Sequence, residues 1–339
     1  MKKLYLILAY TLFLGIAYAQ RPSVQNVNSD STAKWFVTKT NYDKQNAPEW
    51  QYFRLTTGSE WKRFYNLGKA TSEKIEQSEQ YLKWLKTDLN NDGKPDLIVS
   101  GVIGQAGGSY KLLVFLSEED SNEYTQYDLI SEAEKSYPAY FKEVKSNDGQ
   151  SMLELTHWLP GSESTSDAPY TKDTVLYKSG YFLNYNPTPT TDSVIRITYK
   201  VREPDGGYRR AIFTPRKNGD ATGMLTDKLS DAKDTFRTKV RISQDTYKDI
   251  LDIIKYADVK SLRSEYELPP IMAMTDVQVV QLMVEYKDGS SKIITDNGGN
   301  GTYSLFAIYD WIEEIYSQVY EQMQQRQQQQ RSSFFDWDY

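Results

Sequence analysis

The sequence contains no cysteine and a single histidine among 339 residues. The lack of cysteine excludes thiol catalysis, disulfide bonds and iron–sulfur clusters, and with so little histidine it also excludes zinc sites of the Cys/His kind. The one imidazole, His157, lies in the apolar run Leu155-Thr156-His157-Trp158, which is typical of a strand. There is no G-x-S-x-G sequence to supply a nucleophile elbow. We therefore predict no catalytic residue.

Positive charge is also in short supply, with 40 Lys and Arg against 46 Asp and Glu and a formal net charge of -6. Proteins that bind nucleic acid or anionic membranes need a surplus of cations to displace counterions. We therefore expect no nucleic-acid partner. The 46 acids offer many combinations of two carboxylates, so a hydrolase that works through a carboxylate pair remains an alternative.

Long apolar runs are confined to the N-terminus. Residues 1–19 combine Lys2 and Lys3, an apolar stretch from Leu4 to Ile16, and Ala17-Tyr18-Ala19 before Gln20. This combination is typical of a secretory signal peptide, and the run is too short to span a membrane. Cleavage after Ala19 would remove two lysines and change the formal net charge from -6 to -8. We expect a periplasmic or extracellular protein with no integral membrane segment after cleavage.

The remaining chain is predicted to hold two domains on either side of a linker with Pro187 and Pro189, which favour extended backbone. In chain order the predicted parts are a flexible leader at 20–33, a β-rich domain at 34–185, the linker at 186–192, an α+β domain at 193–322 and a Gln-rich polar tail at 323–339. The expected fold class is α+β, and the second domain should be a two-layer arrangement of an antiparallel sheet with two helices.

Several elements can be assigned from periodicity and turn residues. Ser243 is a good N-cap for an amphipathic helix at 243–256. Asp288-Gly289 suits the tight turn of a hairpin formed by 277–286 and 291–295. The clearest strands elsewhere are predicted at 96–103, 111–116, 151–158 and 194–199. The last helix should bury an apolar stripe made of Leu305, Ile308, Ile312, Ile315, Val319 and Met323.

Residues 88–96 read D-L-N-N-D-G-K-P-D and place an oxygen donor at every second position. The candidate ligands are the side chains of Asp88, Asn90, Asp92 and Asp96 and the backbone carbonyl of Lys94. Calcium binds six to eight such oxygens, and Gly93 stands where a curled loop must bend sharply. The spacing predicts one structural Ca²⁺ site; the alternative is a metal-free Asn-Asp-Gly turn between two strands.

This loop resembles those of integrin-type FG-GAP repeats, in which D-x-N-x-D-G-x-x-D precedes a hydrophobic strand, here Leu97-Ile98-Val99. Position twelve is Val99, where an EF-hand has a bidentate Glu. The pattern occurs once, so the propeller that about seven such repeats build is not implied. The resemblance implies the local loop and its ion alone. Because Val99 cannot ligate, one or two waters or a distant carboxylate must complete the shell, and we expect a dissociation constant on the order of 0.1 to 1 mM.

The second half is similar to a poorly characterised domain of secreted bacterial proteins. The resemblance rests on Ser193–Tyr199, on Thr275-Asp276 and on Lys292–Gly299. It supports the domain boundary and implies no activity.

Together these features predict a secreted, non-enzymatic protein with one structural calcium ion and a binding or scaffold role at the cell envelope, where its partner would be an unknown protein or a glycan. A second hypothesis is a carbohydrate- or peptidoglycan-binding module. It rests on seven Trp and 27 Tyr, because flat aromatic faces stack on sugar rings.

Overall fold

The computed structural model describes residues 22–45, 48–56, 82–104, 109–118, 124–130, 139–158, 170–228, 235–267 and 277–335. The predicted signal peptide lies outside these residues. The chain forms two compact units, Met1–Lys172 and Asp173–Tyr339. The expected α+β fold class is confirmed, because a β-rich first part is followed by an antiparallel sheet with two helices.

The first unit is built around a buried central strand, β3. Its described regular elements are α1 (Asp30–Gln45), β1 (Arg54–Leu55), β2 (Trp84–Thr87), β3 (Asp96–Ile103), β4 (Ser109–Ser117), β5 (Tyr124–Asp128), β6 (Ala139–Lys145) and β7 (Ser151–Trp158), with 3-10 turns at Val24–Asn26 and Pro48–Tyr52. Strands β1 and β2 pair antiparallel with β3, which pairs with β4, and β5 pairs with β4. Strands β6 and β7 form a hairpin.

Helix α1 packs on this sheet through Phe36, whose ring meets Phe115 edge-on at 5.1 Å and Tyr124 at 5.2 Å between centroids. The sequence predicted a flexible leader at 20–33, but the described residues of this segment are packed into the fold. Val24 and Val27 are buried in the same core, and the Val24 backbone N–H donates to the Tyr124 hydroxyl at 3.0 Å. Two valines in a polar segment give no periodic signal, so their burial depends on the sheet that receives them.

The second unit carries the larger sheet. Its elements are β8 (Tyr170–Lys178), in which the division between units falls, β9 (Tyr181–Asn184), β10 (Val194–Arg202), β11 (Tyr208–Pro215), β12 (Ala221–Lys228), β13 (Phe236–Ile242), α2 (Gln244–Ala257), β14 (Glu265–Tyr266), β15 (Val279–Tyr286), β16 (Ser291–Asn297) and α3 (Tyr303–Phe335). Seven strands form a sheet in the order β13-β12-β11-β10-β15-β16-β14. All neighbours are antiparallel except β14 and β16.

Helix α3 covers one face of the seven-stranded sheet. Trp311 meets the Phe213 ring at 5.4 Å, and Tyr309 meets Tyr199 at 5.7 Å. Helix α2 packs against α3 and begins as predicted, since the Ser243 side chain accepts the Thr246 backbone N–H at 3.1 Å. Among the described residues, no helix combines the length and the apolar character needed to cross a membrane.

The proline-containing segment at 186–192 lies along the C-terminal end of α2. The Asn186 side-chain amide donates to the Tyr256 carbonyl at 2.7 Å, and the Thr190 backbone N–H donates to the Lys255 carbonyl at 3.1 Å. This segment is thus held within the second unit, whose first residue is Asp173. At the other end of the chain, α3 continues through the glutamine run to Phe335.

Candidate functional site

The predicted calcium loop connects β2 to β3, and two of its residues have left-handed backbone. Asn91 has φ 63° and Gly93 has φ 83°, values that curl the chain back on itself. Residues of the β6–β7 hairpin hold the end of β2. The Thr87 hydroxyl donates to Glu143 at 2.7 Å and lies 3.0 Å from the Ser151 hydroxyl. The β6–β7 hairpin therefore fixes the point at which the loop begins.

Asp88 and Asp92 turn their carboxylates toward the backbone of the loop. Asp88 accepts the backbone N–H groups of Asp92 at 3.1 Å and Gly93 at 2.9 Å. Asp92 accepts the Lys94 backbone N–H at 2.8 Å and the Asn90 amide at 3.1 Å. Each carboxylate thus accepts two of the about four hydrogen bonds that its oxygens can take.

Asp96 stands where the loop ends and β3 begins, and it is fully buried. Its Oδ2 accepts the backbone N–H groups of Leu89 at 2.7 Å and Asn90 at 3.4 Å. Its Oδ1 accepts the Ser117 backbone N–H at 2.9 Å and hydroxyl at 3.0 Å. Burial raises the pKa of this carboxyl group above its usual value, although the bonds from Ser117, Leu89 and Asn90 act in the opposite direction. Four donors use the full capacity of a carboxylate, so Asp96 ties the loop to β4.

The structure therefore links Asp88, Asn90 and Asp92 through hydrogen bonds within the loop, and the carboxylate of Asp96 joins the loop to β4. Lys94 connects the loop to the residue after β4, because its ammonium donates to the Glu118 carbonyl at 2.9 Å. Within the described ranges, no three Asp, Glu or His side chains are grouped closely enough to hold a metal ion by themselves. An ion here would depend on the Asn90 side chain, a carbonyl and water in addition to the carboxylates.

A second buried aspartate, which the sequence reasoning did not single out, organises the Gly-rich turn before α3. Asp296 at the end of β16 accepts the backbone N–H groups of Asn300 at 2.7 Å and Gly301 at 3.0 Å. A Cβ on Gly301 would lie 2.6 Å from the Asp296 Oδ2 atom. The run Asp-Asn-Gly-Gly-Asn-Gly was the available signal, since close backbone approach to a carboxylate favours glycine.

A polar network holds α3 on the sheet. Glu313 accepts the Tyr199 hydroxyl at 2.8 Å and pairs with Arg209, which also pairs with Glu203 at 2.8 Å. Burial and the charge of Glu313 raise the pKa of Tyr199 well above its usual value, and the neighbouring carboxylates outweigh burial to raise the pKa of Arg209. The pKa values of Tyr199 and Arg209 are therefore shifted by contacts that join α3 to the seven-stranded sheet. His157 belongs to β7, opposite Ala139, and its side chain lies outside the described part.

The face of the seven-stranded sheet opposite α3 carries a cluster of cations. Residues facing α3, such as Ile197, Tyr199 and Val201, are buried, and their neighbours in β10 point the other way. We call the following set the basic face: Lys200 and Arg202 of β10, Arg210 of β11, Lys228 of β12, and Arg237 and Lys239 of β13. All are exposed except Lys228, which is half-buried.

The cations of the basic face have no acidic partner among the described residues. Elsewhere on the same side of the sheet, Arg196 pairs with Glu285 at 3.4 Å and Arg241 with Asp220 at 2.7 Å. Lys200 meets the neutral side-chain oxygen of Gln281 at 3.4 Å. Within the described ranges, no carboxylate therefore neutralises the positive charge of this cluster.

Comparison with family models matches residues 211–316 to a domain of unknown function, DUF6438. The expectation of an uncharacterised domain is confirmed for this C-terminal part. Of the stretches that suggested it, Thr275-Asp276 and Lys292–Gly299 lie within the match, and Ser193–Tyr199 lies ahead of it. The loop at 88–96 lies outside it, so the FG-GAP resemblance rests on the loop's own residues. No curated protein and no solved structure matches the chain.

Proposed function

We propose that this chain is an exported, non-enzymatic binding protein of the cell envelope, with a first unit stabilised by calcium at the loop of residues 88–96. The observation that carries the binding role is the basic face, a group of cations that contributes no ion pair to the fold in the described part of the chain. Like charges that stand opposite each other on paired strands destabilise a sheet, so stability does not account for this cluster.

The contacts of two groups with shifted pKa values, Tyr199 and Arg209, support a non-enzymatic role. Both are engaged with Glu313. This arrangement resembles an ion-pair network that holds a helix in place, which also shifts pKa values. Robust turnover of esters, peptides or glycosides that is lost in His157→Ala would overturn this part of the proposal.

For the calcium site we propose Asp88, Asn90, Asp92 and the Lys94 carbonyl as ligands, with water completing the shell. Asp88 and Asp92 retain acceptor capacity beyond the two hydrogen bonds each makes. Asp96, the fifth residue of the predicted set, would shape the loop through its four donors. Bound calcium would supply a fixed positive centre that offsets the repulsion between the carboxylates.

Export and envelope binding are tested together by expressing the full chain in a bacterium and fractionating the cells. We expect a processed form beginning at Gln20 outside the cytoplasm, identified by intact mass. The purified mature chain should sediment with isolated envelope material. An unprocessed cytoplasmic chain, or a mature chain that stays in the supernatant, would contradict the proposal.

A further inference from the structure

The cations of the basic face are placed in register by strand pairing. Three rows run across the sheet, perpendicular to the strands. They are Arg202, Tyr208 and Lys228; then Gln281, Lys200, Arg210, Thr226 and Arg237; then Met283, Thr198, Ile212, Met224 and Lys239. Neighbouring strands lie about 4.8 Å apart and successive rows about 6.8 Å apart. Cations of one row are therefore separated by one or two strand spacings, and the third row contributes Lys239 alone.

This arrangement costs stability in the isolated chain. Lys200 and Arg210 stand directly opposite each other on adjacent strands, and like charges in such pairs repel. Arg202 and Lys228 stand on either side of Tyr208 in their row. A ligand with several negative charges would relieve the repulsion and gain charge-assisted hydrogen bonds.

The ring of Tyr208 narrows the class of ligand. Tyr208 is half-buried and stands between Arg202 and Lys228 in its row, which places an aromatic residue beside positive charge. An aromatic face stacks on the apolar face of a sugar ring, and an arginine fork fits a carboxylate. We propose that the basic face binds an acidic glycan, a sugar chain that carries carboxylate groups at regular intervals. This rests on the proposed binding role at the cell envelope and names its partner class.

Two other anionic partners fit less well. Double-stranded nucleic acid carries about one negative charge per 1.7 Å of helix axis, which is far denser than cations on strands about 4.8 Å apart can match. A lipid surface requires apolar side chains that insert below the headgroups. On this side of the sheet Ile212, Met224 and Met283 are half-buried and Ile293 of β16 is exposed. The exposed Ile195 stands at the irregularity at the start of β10.

The test measures the binding of an oligogalacturonate of defined length to the mature chain by titration calorimetry. We expect binding that weakens as salt rises and is absent for the fully methyl-esterified oligomer, which has the same sugars without charge. Lys200→Glu combined with Arg210→Glu should weaken binding by about tenfold or more, because two charge-assisted contacts become repulsive. Tyr208→Leu should weaken binding several-fold and leave its salt dependence unchanged.

The matched control is Lys217→Glu combined with Lys287→Glu. Both lysines are exposed in turns, at the opposite end of the same sheet, so the net charge changes equally while the basic face is intact. Binding like that of the parent chain is expected. Equal weakening in control and test variants, or no binding by the parent chain, would overturn the proposal. If the charge reversal prevents folding, Lys200→Gln with Arg210→Gln removes both charges without adding any.

Further experiments distinguish a failure of the acidic-glycan proposal from a failure of the proposed envelope function on which it rests. Binding to phosphatidylglycerol vesicles or self-association, lost in the charge reversal while oligogalacturonate binding persists, would assign the face to another occupant and overturn the proposal. If the charge reversal still sediments with envelope material, the binding role stands and the basic face is not its site. If oligogalacturonate binds at the basic face but the chain is not exported, the face stands and the envelope role fails.

Discussion

The rings of Tyr199 and Tyr309 pack against each other with centroids 5.7 Å apart, yet their hydroxyls differ in what they meet. The Tyr199 hydroxyl donates to Glu313 at 2.8 Å. The Tyr309 hydroxyl is buried and has no hydrogen-bond partner in the described part of the chain. One ring of the pair thus carries a satisfied polar group and the other an unsatisfied one.

This contrast predicts opposite effects for two identical substitutions. Tyr309→Phe should raise the free energy of unfolding by about 0.5 to 1 kcal/mol, because it removes an unpaired buried hydroxyl. Tyr199→Phe should lower it by about 1 to 2 kcal/mol, because Glu313 loses a donor. Urea unfolding of both variants checks the pair. A loss of stability in Tyr309→Phe would show that its hydroxyl has a partner.

The four donors on Asp96 predict that it is a main determinant of loop stability. Asp96→Ala should lower the free energy of unfolding by about 3 kcal/mol or more, because buried N–H groups lose their acceptor. Ser117→Ala removes the hydroxyl and keeps the backbone donor, so it should cost about 1 kcal/mol. Chemical denaturation without calcium measures both. Equal small losses would mean that the loop does not depend on Asp96.

The proposed calcium site predicts a rise in melting temperature with millimolar calcium, because ligand binding to the folded state alone stabilises it. Calorimetric melts with calcium, magnesium and chelator measure the effect. Asp92→Ala should abolish the rise. Asp148→Ala, in the turn between β6 and β7, removes an acid outside the loop and should preserve it. An unchanged melting temperature in millimolar calcium would count against the site.

Asp310 on α3 predicts a pH dependence of stability. Partial burial of its carboxyl group and the charges of Glu314 and Glu313 raise its pKa from 3.8 to about 6. A raised pKa in the folded state means that protonation stabilises the fold. This contribution is complete below about pH 3.8 and is lost as the pH rises through about 6.

Asp310→Asn should therefore be more stable than the parent chain at pH 7 and equal to it at pH 3.5. The gain should be about 1 kcal/mol. It is small because the residue as a whole is exposed, although its carboxyl group is partly buried, so solvent screens the charge. Urea titrations at both pH values provide the measurement. Glu321→Gln, an exposed acid on the same helix, is the matched control. A gain that is the same at both pH values would point to a cause other than titration.

Local elements were predictable from the sequence where the signal is short-range. The helix after Ser243 and the hairpin around Asp288-Gly289 depend on a cap and on a turn, which a few adjacent residues specify. Strand β7 was predicted with its observed bounds because its apolar run ends at turn residues. Helix α1 was missed, because its sequence is polar and Phe36 finds its contacts on distant strands.

In the candidate sites too, some features follow from residues close together in the chain and others depend on the tertiary structure. The sequence predicted that Asp88, Asn90 and Asp92 would face one another, because their spacing of two acts within a single curled loop. It did not predict that Asp96 would be held by Ser117, which lies 21 residues away and reaches it through the pairing of β3 with β4. The negative net charge argued against nucleic acid and anionic membranes as partners. Net charge is an average over the whole surface, however, and does not reveal that cations cluster on one face of a sheet.

The sequence by itself determined the α+β class, the caps and tight turns, and the alternation of oxygen donors in the loop, because each depends on residues close together in the chain. The tertiary structure decided which cations share a face. Lys200, Arg210 and Arg237 belong to three strands and lie in one row because the register of β10, β11, β12 and β13 aligns them. Register follows from which apolar faces pack together across the sheet, and that packing is a property of the folded chain.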